Sequence, residues 1–252
     1  NSGGALVNIN GQVIGINTWI ASSTGGNVGL GFAIPVNNAK KTIDDFIQKG
    51  RVDYGWLGVN TGDPADSVKS DMGLKGKTGS FVYDVFKGSP ADKAGILPGD
   101  FITAINGKKI KDRDDLVSVV AGLTPGQAQS FDIVRLGKSM TVKVTTDVRK
   151  TETDDSEKAK VWPGIVVIGI TDQIRKNLNL PKKTGSIVVG SVEQGGPASI
   201  GGIRTGDIIK EVNGKSIDSV MDFYEALSEK GKSDIMLRIV RQNNEFVLGL
   251  VK

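Results

Sequence analysis

From Thr78 to Phe86 the chain reads TGSFVYDVF, an alternation of apolar and polar positions opened by a glycine, and this predicts a strand. SPADKAG follows, a short helix entered through Pro90 and closed by Gly95. LPGDFITAINGKKI then reads as turn, strand, tight Asn-Gly turn and strand. In DRDDLVSVVAGL, Leu116, Val119 and Val120 recur at helical spacing behind Asp112, which is placed to cap the helix. SFDIVRLGKSMTVKV predicts a closing hairpin that turns at Leu136-Gly137-Lys138. These elements describe a small β-rich domain with two helices, one of which can leave a groove beside a strand edge.

The same pattern returns about a hundred residues later. WLGV at Trp56 matches WPGI at Trp162, and TGSFV at Thr78 matches TGSIV at Thr184. Gly88 to Ile110 matches Gly195 to Ile217, with Pro90/Pro197, Gly99/Gly206, Asp100/Asp207 and Asn106/Asn213 coinciding. In the second copy Val220, Phe223, Tyr224 and Leu227 share one helical face. Two copies of one domain therefore make up most of the chain. RKTETDDSEKAK lies between them, almost devoid of apolar residues, and reads as a solvated linker. The expected organisation is a head over residues 1–50, a first repeat over 51–148, a linker over 149–160 and a second repeat over 161–252.

Composition narrows the chemistry. The 252 residues carry a net charge of +4, with no Lys/Arg cluster interleaved with aromatics, so nucleic acid is not expected as a partner. No apolar run approaches the roughly 18 residues that span a bilayer. Membrane association, if there is any, is expected to be peripheral. No signal peptide is visible from Asn1 onward. There is no cysteine and no histidine, which excludes thiolate chemistry and an imidazole base supplied by this chain. Nothing points to a metal or an organic cofactor. Asp114 and Asp115 read as helix capping, and Asp100 and Asp207 as turn residues.

The repeats resemble the PDZ domain in its bacterial, circularly permuted form, on W-Φ-G-Φ, G-S-Φ-V and the SPADKAGI-PGD stretch. The resemblance implies peptide binding by strand addition. The terminal carboxylate would be held by backbone N–H groups of the loop carrying Trp56, Leu57, Gly58 and Val59. Val59, Leu116 and Val120 would line the apolar pocket for the last side chain; core packing is the other reading of Leu116 and Val120. In the second copy Pro163 replaces Leu57 and removes a donor, so weaker carboxylate binding or a contact with another subunit is expected there. Tyr54 stands where relatives often carry a basic residue, which leaves Arg51, or nothing, to supply extra positive charge.

The opening NSGGALVNINGQVIGINTWI, with GGNVGLGFAIPVNNAKKTIDDF after it, resembles the end of the protease domain of the HtrA/DegP (Do-like) serine proteases. On that match Ser2 is the catalytic serine, and its own N–H one oxyanion donor. VIGINT would be the strand on which substrate pairs, and Ile16 and Leu30 would border a small apolar specificity pocket, with core packing as the rival reading. Asn37 or Asn38 is expected to cap a helix with Ile43, Phe46 and Ile47 inward and Gly50 at its end.

The expected fold class is thus mainly β with short helices (α+β): a truncated C-terminal piece of a trypsin-like β-barrel domain followed by two PDZ-like domains. The family's histidine and aspartate precede the serine and do not occur in this chain ahead of it, so the chain alone is expected to be inactive. Residues 1–50 are expected to lack their normal core. The resemblance implies an ATP-independent endopeptidase of protein quality control in the periplasm or cell envelope of a bacterium. Its partners would be unfolded or misfolded proteins, C-terminal peptides and copies of itself in a trimer-based homo-oligomer. The alternative is a non-catalytic tandem-PDZ peptide-binding or assembly module.

Overall fold

The computed structural model describes residues 1–21, 29–149, 161–177, 180, 185–229 and 234–251. These form two compact units, Asn1–Asp53 and Tyr54–Lys252. Most of the expected linker, residues 150–160, and Thr184 lie outside the described residues.

The first unit is an antiparallel sheet in the order β1 (Ala5–Val7), β2 (Val13–Ile20), β3 (Gly31–Pro35), followed by α1 (Val36–Lys49). β3 runs straight into α1, so Pro35 occupies the cap position without a side-chain cap bond, and Asn37 and Asn38 sit in the first helical turn instead of capping it. Gly50 ends the helix, its N–H donating to the Phe46 carbonyl. The expected inward face is not covered: Ile43 is exposed, Phe46 is 56% exposed and Ile47 78%. Leu6, Val13, Ile14, Ile20 and Ile34 are also exposed, as is the Trp19–Phe32 ring stack at 4.2 Å. Three strands and a helix form the right local structure but hold too few layers to bury their apolar faces.

The second unit holds both repeats. The first comprises β4 (Gly55–Trp56), β5 (Val59–Gly62), α2 (Asp66–Asp71), β6 (Ser80–Phe86), α3 (Pro90–Ala94), β7 (Phe101–Ile105), β8 (Lys108–Lys109), α4 (Arg113–Ala121), β9 (Ala128–Arg135), β10 (Lys138–Thr145) and β11 (Asp147–Val148). The second comprises β12 (Val161–Trp162), β13 (Ile165–Gly169), α5 (Asp172–Asn177), β14 (Ile187–Val192), α6 (Pro197–Ile200), β15 (Ile208–Val212), β16 (Lys215–Ser216), α7 (Val220–Ser228), β17 (Asp234–Arg241) and β18 (Asn244–Val251). Each repeat thus has a third helix, α2 or α5, beyond the two expected.

Local signals account for the element ends. Ser89 caps α3 by accepting from the Asp92 N–H. At α4 the Asp112 carboxylate caps by accepting from the Asp115 N–H, and the Asp115 carboxylate reaches back past the cap to the Lys111 N–H. Asp100 and Asp207 do sit in turns, but they are buried and each is gripped by an arginine, Arg135 and Arg241 respectively.

The repeats share a core. β12 pairs antiparallel with β6, Trp162 opposite Val85, so a strand of the second repeat extends the sheet of the first. Val68, Met72, Leu74 and Phe81 of the first repeat belong to one buried cluster with Val167, Val220 and Tyr224 of the second. A separate cluster around Leu57, Ile102, Leu116 and Phe131 fills the first repeat.

Candidate functional site

In the first repeat β4 and β5 are joined through Leu57 and Gly58. The Leu57 carbonyl accepts from the Ala91 N–H at 2.9 Å. The Gly58 carbonyl accepts from the Phe86 N–H at 3.0 Å and from the Ser89 hydroxyl at 3.1 Å. A trans peptide unit points its N–H opposite its carbonyl. With both carbonyls tied to the β6–α3 corner, the N–H groups of Gly58 and Val59 are turned away from that corner. Gly58 needs φ +80° to make this bend.

Those residues line a groove of about 860 Å³ running between β5 and α4. Trp56, Leu57, Gly58, Val59, Leu116 and Val120 all border it. Leu116 and Val120 are also buried in the first repeat's core, so the two readings of these residues describe one position. Trp56 packs edge-on against Phe86, with centroids 6.2 Å apart. The geometry offers an unfilled apolar slot, backbone donors at one end, and a strand alongside: the features that receive an extended chain ending in a carboxylate.

Several lining residues escaped the sequence reading. Val117 presents an exposed apolar side chain from α4. Arg149 lines the groove because β11 pairs with β4 and the Arg149 N–H donates to the Tyr54 carbonyl at 2.8 Å. Two cations thus line the groove, Arg149 and Arg113, the latter also donating to the Thr61 carbonyl of β5. Arg51, the residue considered for this role, belongs to the first unit and pairs with Asp53 at 3.1 Å. Only strand pairing brings Arg149 beside the loop, and no local motif announces it. Val161, Val166 and Glu193 of the second repeat also border the groove.

The corresponding loop of the second repeat is placed differently. Trp162 is buried, the Trp162–Pro163 bond is cis, and the Gly164 N–H donates to Asp84 Oδ1 of the first repeat at 2.8 Å. Its contact is with the neighbouring repeat of the same chain.

Asp84 is the strongly perturbed group here. Burial pushes its carboxyl up to about 6, against the hydrogen bonds from Asn60 and Gly164, and the nearby Glu193 charge adds to the rise. Burial first, and then the Asp84 charge, hold the Tyr224 phenol well above its ordinary value, and that hydroxyl has no hydrogen-bond partner among the described residues. A carboxyl whose folded pKa exceeds its unfolded one favours the protonated fold, so stability is lost as pH rises between about 4 and 6. The loss is on the order of 2–3 kcal/mol. Asp84→Asn is expected to flatten that slope in unfolding free energy measured across this range, the variant gaining on the parent toward neutral pH. Parallel curves would show that Asp84 is not the group responsible.

In the first unit, Asn1 to Gly4 form a tight turn closed by the Gly4 N–H on the Asn1 carbonyl at 3.0 Å. Ser2 and Gly3 are its central residues, and Gly3 takes the φ of +82° that the third position of a type II turn demands. The Ser2 hydroxyl donates to the Thr18 carbonyl, and the Gly3 N–H donates to the Asn17 carbonyl at 2.8 Å. β2 is central in its sheet, with β1 on one side and β3 on the other. Ile16 is half-buried between Ala5 and Ile34, and Leu30 is 58% exposed just before β3. The structure thus brings Ser2 to the Asn17–Thr18 stretch of VIGINT, and places neither a base nor an acid beside its hydroxyl among the described residues.

Comparison with known proteins adds the lineage. The PDZ domain family matches residues 55–146 and 188–241, and the trypsin family matches residues 1–43. A probable periplasmic serine endoprotease, DegP-like, of Chlamydia trachomatis is 41% identical over 240 residues, 95% of this chain and 48% of that protein. The Bartonella henselae protein of the same description is 36% identical over 255 residues, 98% of this chain and 50% of that one. Among solved structures, the HtrA-type protease AlgW with a decapeptide superposes with a TM-score of 0.51 at 36% identity, covering 60% of this chain and 46% of that one. AlgW with a tripeptide gives 0.52 at 37% identity, covering 60% and 50%. The chain spans about half the length of the curated relatives it matches. In sequence and in the order of its parts, the chain matches the HtrA/DegP-like serine protease family, with a trypsin-type segment followed by two PDZ domains.

Proposed function

We propose that this chain is part of an ATP-independent serine endopeptidase of protein quality control in the bacterial cell envelope. Ser2 is its nucleophile, and the groove of the first repeat receives the C-termini or unfolded stretches of substrate proteins. The observation that carries the binding half is the loop at Gly58, whose carbonyls are tied back so that its N–H groups face away from the β6–α3 corner. Trp56, Leu57 and Val59 flank those donors, Leu116 and Val120 form the apolar wall, and Arg149 adds positive charge for a carboxylate.

The catalytic half rests on the turn that carries Ser2. A serine hydroxyl becomes a nucleophile only when a base removes its proton, and a carbonyl such as that of Thr18 cannot do so. The chain contains no histidine, so the base comes from outside it. With a base supplied, the Ser2 oxygen attacks the substrate carbonyl. The Ser2 N–H is the oxyanion donor this chain offers, since the Gly3 N–H is committed to Asn17. Ile16 and Leu30 border an apolar pocket for the residue before the cut. The apolar faces exposed on the first unit fit burial against the rest of a protease domain, and assembly into trimers follows the family resemblance.

The test compares the protein carrying the upstream histidine with its Ser2→Ala variant, using a denatured, reduced test protein as substrate. Turnover is expected to fall by about 10³-fold or more while affinity for a peptide with a free carboxylate is unchanged. The 252-residue chain by itself is expected to cleave nothing. Undiminished turnover in the variant would remove Ser2 from the chemistry and leave a non-catalytic tandem peptide-binding module.

A further inference from the structure

In the first repeat the interval between β5 and α4 is an open groove. The same interval in the second repeat lies between β13 and α7, and it is filled. Helix α2 of the first repeat packs against both elements. Val68 is fully buried there and shares a core cluster with Val167, Val220 and Tyr224. Ser67 Cβ lies 3.4 Å from where a Cβ on Gly169 would sit, at the end of β13. Asp71 accepts the Val220 N–H at 3.2 Å, at the first residue of α7. At the other end of β13, the Gly164 N–H is taken by the Asp84 carboxylate. Gly164 is the counterpart of Gly58, whose N–H faces away from the protein corner in the first repeat.

We infer that the first repeat is the resident occupant of the second repeat's peptide groove. Helix α2 takes the room that ligand side chains would use, and Asp84 takes an N–H that a terminal carboxylate would use. The chain then offers one open groove instead of two. The second repeat gives something back: Val161, Val166 and Glu193 help to wall the open groove. The pair is a single receptor, and its second repeat is structural support for the first. This inference rests on the reading of the first groove as a peptide site.

The chain has no cysteine, which makes a cross-link test clean. In a Ser67→Cys, Gly169→Cys variant the two Cβ atoms fall close to the roughly 3.5–4.5 Å of a disulfide. The full chain is oxidised mildly and then titrated with a fluorescent decapeptide ending in Val-Val with a free carboxylate. The bond is expected to form nearly completely. One peptide should bind per chain, with oxidised and reduced affinities within about twofold of each other. Failure of the bond to form in the folded variant would overturn the inference. So would a second peptide bound by the reduced chain and absent from the oxidised one. If the bond forms and no peptide binds in either state, the closed second groove stands and the peptide-site reading of the first falls. Should the variant not fold, the parent chain labelled with nitrogen-15 decides the matter. Peptide-induced amide shifts must then fall on residues 58–61, and saturable shifts on residues 223–228 of α7, none of which borders the first groove, would overturn the inference.

Discussion

Replacing Arg135 by methionine is expected to lower the unfolding free energy by about 3–5 kcal/mol. The side chain makes a two-pronged pair with Asp100, Nε to Oδ1 and Nη2 to Oδ2, both at 2.7 Å, and Nη2 also donates to the Gly95 carbonyl at 2.6 Å. Asp100 is fully buried, and its remaining donor is the Leu97 N–H at 2.8 Å. Methionine fills much of the same volume but leaves a carboxylate in the interior with one hydrogen bond. Adding Asp100→Leu should return part of the loss, because two apolar groups of matching volume replace a buried pair at little cost, while the Leu97 N–H stays unsatisfied. Denaturant titration of the two variants and the parent measures both steps. Removing the half-exposed Lys210–Glu245 pair should cost about 1 kcal/mol or less, since water already screens it. An Arg135 effect as small as that would mean the buried carboxylate finds another partner.

The second repeat builds the same device. Arg241 grips Asp207 through two contacts at 2.6 Å and donates to the Gly202 carbonyl, and the Asp207 carboxylate accepts the Arg204 N–H. Its recurrence shows how far a sequence carries. Asp100 and Asp207 were legible as turn residues from the glycine before each, and the repeat aligned them. Arg135 and Arg241 fall at matching positions too, but nothing local says that an arginine at the end of β9 or β17 reaches back to a turn 34 or 35 residues earlier. Helix ends were readable at Asp112 and Pro90 because such signals act over three or four residues, while the Ser89 cap of α3 was not read. The Asn106-Gly107 turn was readable for the same reason.

Helix α2 was missed because its stabilisation is not local. Its six residues carry one buried apolar side chain, Val68, too few to declare a helical period. What fixes it is the second repeat, through a hydrogen bond spanning 149 residues of sequence. The same separation hid the fate of the second loop: Pro163 announced a lost donor, while the partner, Asp84, sits on a strand of the other repeat. In the first unit the error ran the other way. The apolar period of α1 was real, but periodicity reports which face wants burial, and whether anything covers it is a property of the rest of the fold.

Substituting Gly58 by alanine is expected to abolish measurable peptide binding and to lower stability by about 2–4 kcal/mol. Two costs add. An L-residue at φ +80° pays for the left-handed conformation, roughly 1–2 kcal/mol. The new Cβ would also lie 2.2 Å from Ser89 Cβ and 2.7 Å from its hydroxyl oxygen, so the corner must open. That corner holds the loop, because the Gly58 carbonyl takes its bonds from Phe86 and Ser89. If it moves, the N–H groups of Gly58 and Val59 lose the direction that makes them a carboxylate site. The two costs can be separated, since Ser89→Gly removes both Ser89 atoms from the way; that single variant costs a few tenths of a kcal/mol at the cap and about 1 kcal/mol for the lost hydroxyl bond to the Gly58 carbonyl, which the cycle subtracts. The double variant should therefore regain the clash component in denaturant titrations and keep the φ penalty, a coupling of about 1–2 kcal/mol in a double-mutant cycle. Peptide affinity should return in part, since the alanine methyl persists beside the loop. Binding of the free-carboxylate decapeptide that survives Gly58→Ala unchanged would place the carboxylate somewhere other than this loop, and the tied-back carbonyls of Leu57 and Gly58 would then serve the fold alone.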